Sequence, residues 1–255
     1  MIIDTHAHIN KFEYDNLNEI ITKLREYIII NNAINEETNK MVVELANNNP
    51  NFYAAVGYHP ENIDEITDKN LKILESYLTN PKVVAIGEIG LDYHYRSDNK
   101  EEQKELFIKQ IELAIKYNKP IIVHSRDAIE DTYNILSQYK IKADIHCFSS
   151  SVEMAERFIK LGCLLGIGGT LTFKNNKKTV EVAKRIDLSK ILLETDSPYL
   201  APEPLRGTKN DSTNLKYIVS KLAEIKEIDY AVALNILNKN AIEFFNLKGD
   251  FDDFQ

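Results

Sequence analysis

Residues 1–10 read MIIDTHAHIN. A short apolar run opens the stretch and closes on Asp4, His6 and His8, three polar groups spaced two residues apart. In a strand, residues i, i+2 and i+4 project to one face, so these three side chains share a side. Two of the six histidines of the chain are therefore placed together within its first ten residues.

The same grammar recurs down the chain. EYIIINNAI, FYAAVGYHP, VVAIGEIGLD, PIIVHSRD, ADIHCFS, LLGIGG and ILLETDSP are each a short Ile/Val-rich run ending in polar residues or glycine. Longer segments with helical spacing lie between them. In EEQKELFIKQIELAIKYN, for example, Phe107, Ile111 and Ala114 fall on one stripe. Strand runs without alternation, interleaved with helices, predict parallel strands covered on both faces. Eight such units fit a closed (β/α)8 barrel, the TIM-barrel class of α/β fold, better than an open sheet. Helical segments NLKYIVSKLAEI and DYAVALNILNKNAIEFF follow the eighth run. One domain over residues 1–255 is expected, with the acidic GDFDDFQ at its end read as a frayed or loosely docked tail.

Composition narrows the class. With 44% hydrophobic and 27% charged residues the chain reads as globular, and no apolar run reaches membrane-spanning length. No basic start with a hydrophobic run marks a signal peptide, so a cytoplasmic location without membrane association is expected. Cys147 and Cys163 are too few for a disulfide framework and lack zinc-knuckle spacing; both are expected as small buried hydrophobes. A formal net charge of −8 argues against wrapping broadly around nucleic acid, although it allows a local basic mouth.

All six histidines, His6, His8, His59, His94, His124 and His146, fall at or just past the end of a predicted strand, where a barrel of this class builds its active site. Glu88 and Asp196 join them from within apolar runs, where an unpaired charge is expensive. For His6, His8, Glu88, His124, His146 and Asp196 together, metal ligation explains the set better than six separate hydrogen-bonded residues. Four imidazoles and two carboxylates without a thiolate suit Zn, Mn, Co, Ni or Fe, and less naturally Mg. Six protein ligands exceed what one open catalytic ion needs, so two divalent cations per chain sharing a carboxylate is the economical solution.

DTHAHIN, AAVGYHP, AIGEIGLDYHYR, KPIIVHSRDA, IHCFSSS, GIGGTLTFK and LLETDSPYLAPEPLRGTKNDS together resemble the TatD-type metal-dependent deoxyribonucleases, relatives of the amidohydrolases, from end to end. Two departures touch no ligand position: Ser150 stands where relatives usually carry glycine, and the second strand run ends NNAIN. The resemblance implies a (β/α)8 barrel with two adjacent divalent ions. His6, His8, Glu88 and Asp196 would hold the first, and Glu88, His124 and His146 the second, with Glu88 as bridge. Asp4 would sit behind the ligands and orient them.

The activity implied is hydrolysis of DNA phosphodiesters, at single strands or exposed ends in the manner of a 3′–5′ exonuclease, which calls for about 20 kcal/mol of barrier lowering. A histidine base alone supplies only about 3–5 kcal/mol. Metal coordination lowers the pKa of water by an amount worth roughly 12 kcal/mol and also clamps the phosphoryl oxygens. A metal-held hydroxide would attack phosphorus while Asp196 takes the proton, making Asp196 and Glu88 the catalytic pair.

For substrate contacts, His59, Arg126, Arg206 and His94 are the candidates, with Tyr93, Tyr95 and Phe173 as possible stacking surfaces. Capping a turn is the alternative for His59, and loop packing the alternative for His94. Arg96, Lys174 and Lys209 also follow strand ends and would add to a basic mouth. Single-stranded DNA or a nucleic-acid end is the expected partner, and no obligate protein partner is evident. A related hydrolysis, of D-aminoacyl-tRNA or another carboxylic ester, would use the same ions.

Overall fold

The computed structural model describes residues 1–248. GDFDDFQ, expected as a frayed or loosely docked tail, lies outside the described residues. Eight strands alternate with helices: β1 (Ile2–Ala7), α1 (Leu17–Lys23), β2 (Tyr27–Asn32), α2 (Glu36–Asn48), β3 (Phe52–Val56), α3 (Asp68–Tyr77), β4 (Val83–Asp92), α4 (Lys100–Lys116) and β5 (Ile121–Arg126). They continue with α5 (Ile129–Leu136), β6 (Ala143–Ile145), α6 (Val152–Lys160), β7 (Leu164–Ile167), α7 (Lys177–Arg185), β8 (Ile191–Leu193), α8 (Leu215–Lys226) and α9 (Tyr230–Phe245). Every predicted apolar run is a strand.

The strands lie side by side in chain order, β1 to β8. Ala7 pairs in parallel with Ser197, just past β8, and His8 donates its N–H to Ser197 O at 2.7 Å, so the first strand meets the exit of the last. This is the connectivity of a (β/α)8 barrel. No helix among the described residues is long and apolar enough to cross a membrane.

The chain forms two compact units. The central unit is Asn31–His146, and the terminal unit combines Met1–Ile30 with the chain from Cys147 onward.

In the central unit β4 is buried along its whole length, as expected of a parallel strand covered on both faces. It pairs with β5 in a register that shifts between Ile86 and Ile89 and then aligns Gly90 with His124. Gly90 has φ +141°, and a Cβ there would run into the His124 carbonyl oxygen, so only glycine lets the two strands approach this closely. Helix α4 buries Phe107, Ile111 and Ala114, the predicted stripe, together with Gln103 and Gln110. Both glutamines tie down strand exits. Gln110 accepts from Tyr58 N at 2.8 Å and donates to Tyr58 O at 3.1 Å, while Gln103 accepts from Asp92 N at 2.8 Å and donates to Asp92 O at 2.8 Å.

In the terminal unit β7 and β8 pair in parallel, Leu165 opposite Ile191 and Ile167 opposite Leu193. Asn16, Ser151 and Asn176 cap α1, α6 and α7 by accepting backbone N–H groups of the first turn. Cys163 is buried as expected. Cys147 departs from expectation: it is only half-buried and takes a left-handed backbone, φ +46°, at the exit of β6. Its N–H is held by Glu194 Oε1 at 2.8 Å.

Candidate metal centre

The terminal unit brings together three of the predicted ligands. His6 lies in β1 and His8 follows it, so the two-residue period of a strand turns both rings to one side. Their Nε2 atoms are 3.1 Å apart, with Asp196 Oδ1 at 3.9 Å from His6 Nε2 and 3.5 Å from His8 Nε2. His6 is fully buried, while the Asp196 side chain keeps 16% of its surface exposed.

Asp196 is held in a left-handed conformation, φ +57°, by Asp196 N donating to His6 O at 2.9 Å and Tyr199 N donating to Asp196 O at 2.8 Å. A non-glycine residue pays for this geometry, and such strain gathers at functional positions. Asp4, the expected orienter, reaches the backbone. Its Oδ1 accepts from His6 N at 3.3 Å and Thr195 N at 3.0 Å, and its Oδ2 accepts from Thr195 Oγ1 at 2.6 Å. Complete burial pushes its pKa up to about 7 against these hydrogen bonds.

In the central unit, His59, Glu88 and His124 offer ligand atoms that all lie within 4.8 Å of one another. His124 Nδ1 is 2.9 Å from Glu88 Oε1 and His59 Nε2 is 3.8 Å from the same oxygen. His59 also caps the 3₁₀ turn Pro60–Glu65, with Nδ1 accepting from Glu61 N at 3.2 Å. The turn-capping alternative is therefore present, and because Nδ1 is an acceptor, Nε2 carries the proton of the neutral ring or binds a cation, on the Glu88 side.

Asp92, four residues after Glu88 at the end of β4, completes the group. Its Oδ2 lies 2.9 Å from His124 Nε2, and its Oδ1 accepts from His94 N at 2.8 Å. Burial disfavours the imidazolium, but the hydrogen bonds to Asp92 and Glu88 outweigh it and raise the His124 pKa to about 9. Burial likewise opposes the Asp92 carboxylate, but hydrogen bonds from His124 and from the His94 backbone hold it below the usual range. A buried pocket that draws a proton onto a histidine between two carboxylates is built for positive charge. With a cation on the Glu88 side, Asp92 keeps the other N–H, the arrangement by which carboxylates orient metal-bound histidines.

His146 sits buried just past β6, its N–H donated to Val123 O at 3.0 Å. Of the expected substrate contacts, His94 pairs through Nδ1 with Asp127 Oδ2 at 2.9 Å. Arg126 lies over the Tyr95 ring, 4.9 Å from its centroid, and Arg206 over Phe173 at 4.4 Å. Tyr93 donates its hydroxyl to Asp131 at 2.8 Å. Arg96, expected to make the mouth basic, is instead gripped by Asp64 and Asp98, which neutralise it. Lys209 donates to Glu13 O.

Sequence reasoning did not single out Asp92 or Glu194. Asp92 was within reach, because a residue four positions beyond Glu88 in a strand shares its face. Glu194 carried the same signal as Glu88, a carboxylate ending an apolar run, but it serves the Cys147 backbone.

A profile of the TatD-related DNase family matches residues 3–246. The chain belongs to this family. It is similar to the uncharacterized metal-dependent hydrolase YabD of Bacillus subtilis, 39% identical over 255 residues that cover 97% of this chain and 100% of YabD. It is also similar to the metal-dependent hydrolase MJ1582 of Methanocaldococcus jannaschii, 33% identical over 95% of this chain and 96% of that one. Among solved structures, the TatD homologue YJJV of Escherichia coli K12 superposes with a TM-score of 0.89, is 31% identical, and covers 97% of this chain and 98% of its own. The protein is thus a TatD-type metal-dependent hydrolase with the family's TIM-barrel fold, and its histidine–carboxylate groups are candidate metal sites.

Proposed function

We propose that the protein hydrolyses phosphodiester bonds of DNA, at single strands or strand ends, with two divalent cations. In a (β/α)8 barrel the C-terminal strand ends form one active face, and every candidate ligand here lies in the C-terminal half of a strand or just past its end. His6, His8, Glu88 and Asp196 would hold one ion, and Glu88, His124 and His146 the other, within a single barrel domain. The observation that carries most weight is the Glu88–His124 pair, Oε1 2.9 Å from Nδ1, with Asp92 behind it, whose donor chemistry fits a divalent cation.

Such ions lower the pKa of water and polarise phosphoryl oxygens, which serves both nucleophile and leaving group. The chain's own residues supply the rest. Asp196 accepts the proton of the attacking water, fixed for that task by its backbone bonds to His6 and Tyr199. Asp92 holds the His124 ring in one orientation. His59, held at Nδ1 by the Glu61 backbone, presents Nε2 to the reaction zone. Arg126 and Arg206 contact phosphates from their aromatic seats.

The test is one metal-loaded preparation given linear single-stranded DNA, circular single-stranded DNA, blunt duplex and a D-aminoacyl-tRNA ester. Stepwise shortening of the linear single strand, with circles spared, is the expected outcome. Ester cleavage without nucleotide release would make the protein a deacylase instead.

A further inference from the structure

Four aromatic side chains are exposed among the described residues, Phe12, Tyr95, Tyr199 and Tyr230, and the first three follow the C-terminal ends of β1, β4 and β8. Isolated exposed aromatics are ordinary. Tyr199 is different because it is anchored at every point and still 51% exposed. Its N–H is bonded to Asp196 O at 2.8 Å and its carbonyl accepts from Asn210 Nδ2 at 2.7 Å. Its hydroxyl donates to Glu13 Oε1 at 2.8 Å, and its ring meets His8 edge-on, with centroids 6.3 Å apart at 61°. A surface tyrosine kept only for solubility has no need of four restraints.

The Glu13 contact also fixes the loop that carries Phe12. Asn10 is buried, and its Oδ1 accepts from Phe12 N at 2.9 Å and Glu13 N at 3.2 Å, a local turn that keeps Phe12 58% exposed. Lys11 Nζ stands 5.0 Å from the Phe12 centroid. Tyr14 donates its hydroxyl to Asn210 O at 2.8 Å, joining the same loop to the one after β8. Two aromatic rings with an adjacent cation are thus mounted on cross-braced loops beside His8 and Asp196.

We propose, resting on the phosphodiesterase function above, that Tyr199 and Phe12 are the base-stacking platform for single-stranded nucleic acid, Tyr199 taking the base next to the bond that is cut. Stacking on a rigid ring costs little ordering and is indifferent to base identity, because every base has a π-face. Cleavage is therefore sequence-tolerant, and a substrate lacking a base at that position loses the contact.

The probe is a single-stranded oligodeoxynucleotide with 2-aminopurine as its terminal 3′ base, joined through methylenephosphonate linkages that the enzyme cannot cut, whose fluorescence falls on stacking, titrated with metal-loaded protein. Wild type quenches the probe. Tyr199→Ala loses the quench and weakens binding about 5- to 150-fold, the range for one stacked base. Tyr199→Trp keeps the quench. Phe12→Ala, at a solvent-exposed side chain that folding does not need, weakens binding of longer strands without restoring the terminal fluorescence. With wild type, an oligonucleotide carrying an abasic 3′ residue binds as weakly as the intact one binds Tyr199→Ala. Equal affinity and equal quench in wild type, Tyr199→Ala and Phe12→Ala overturn the platform, as does wild type that fails to bind the probe. In that last case hydrolysis of bis-p-nitrophenyl phosphate by the same wild-type preparation separates the two failures: turnover leaves the phosphodiesterase function standing, and none removes both.

Discussion

Asp92 Oδ2 lies 2.9 Å from His124 Nε2, and Asp92 is itself clamped at N–H and carbonyl by the Gln103 side chain. Because that clamp is made by the Asp92 backbone, Asp92→Asn keeps the β4 exit in place while losing the charge that orients His124. Removing such a partner costs about 10- to 100-fold in metal affinity. Metal titration of the two proteins should show that loss, and below about pH 9 the metal-free variant should also unfold at lower temperature, because Asp92 helps to hold the His124 proton. Equal affinities would show that His124 needs no orienting carboxylate.

Glu88 should be the shared ligand. Glu88→Gln keeps size and one acceptor oxygen but removes the charge that two ions would divide. Metal analysis after exhaustive dialysis should fall from two ions per chain to one or none. Two tightly held ions in the variant would end the case for a bridge.

Asp196 is expected to act as ligand and proton acceptor together. Asp196→Asn can still offer an oxygen but cannot take the proton, so kcat should fall by at least about 10²-fold in metal-replete protein. A kcat close to wild type would assign the proton to another group.

His124 links the centre to pH. With its pKa raised to about 9 from 6.5, metal-free folded protein binds this proton more tightly than unfolded chain does. The resulting stability is fully present below about pH 6.5 and is lost as pH rises through about 9. A cation must displace that proton, so between those limits affinity at this group should climb by up to about tenfold per pH unit and level off above them. Metal titrations and melting curves across the window should therefore move in opposite directions as pH rises: tighter metal, less stable metal-free protein. Affinity that stays flat through the window would mean His124 is not a ligand.

The strands were legible because parallel strands buried on both faces must read as near-continuous Ile/Val runs, and β4 does so over its full length. His6, His8, Glu88, His124 and Asp196 stood out because polar groups inside such runs need a reason to be there. The partners that position them were harder to see. Gln103 and Gln110 look like solvated helix residues until the strand exits they bind are placed beside them. Arg96 reads as a free cation, yet it is neutralised by Asp64, thirty-two residues away, a pairing no local pattern encodes. Tyr199 owes its fixed position to Glu13, 186 residues earlier.

That redistribution of charge sets the salt dependence of substrate binding. Arg96 is neutralised by Asp64 and Asp98, and Lys209 is committed to the Glu13 carbonyl. Arg126 and Arg206 sit on aromatic rings, and a ring leaves the guanidinium charge uncancelled for phosphate. With roughly two or three phosphates neutralised and about 0.7 counterion released per single-strand phosphate, a plot of log K against log salt should have a slope of roughly −1.4 to −2.1. Arg206→Ala should flatten it by about 0.7 and weaken all sequences alike. A slope several times steeper would mean that many more cations reach the strand than the loops after β4, β5 and β8 provide. A slope unmoved by Arg206→Ala would place that guanidinium outside the phosphate path and leave Arg126 as the cation that meets it.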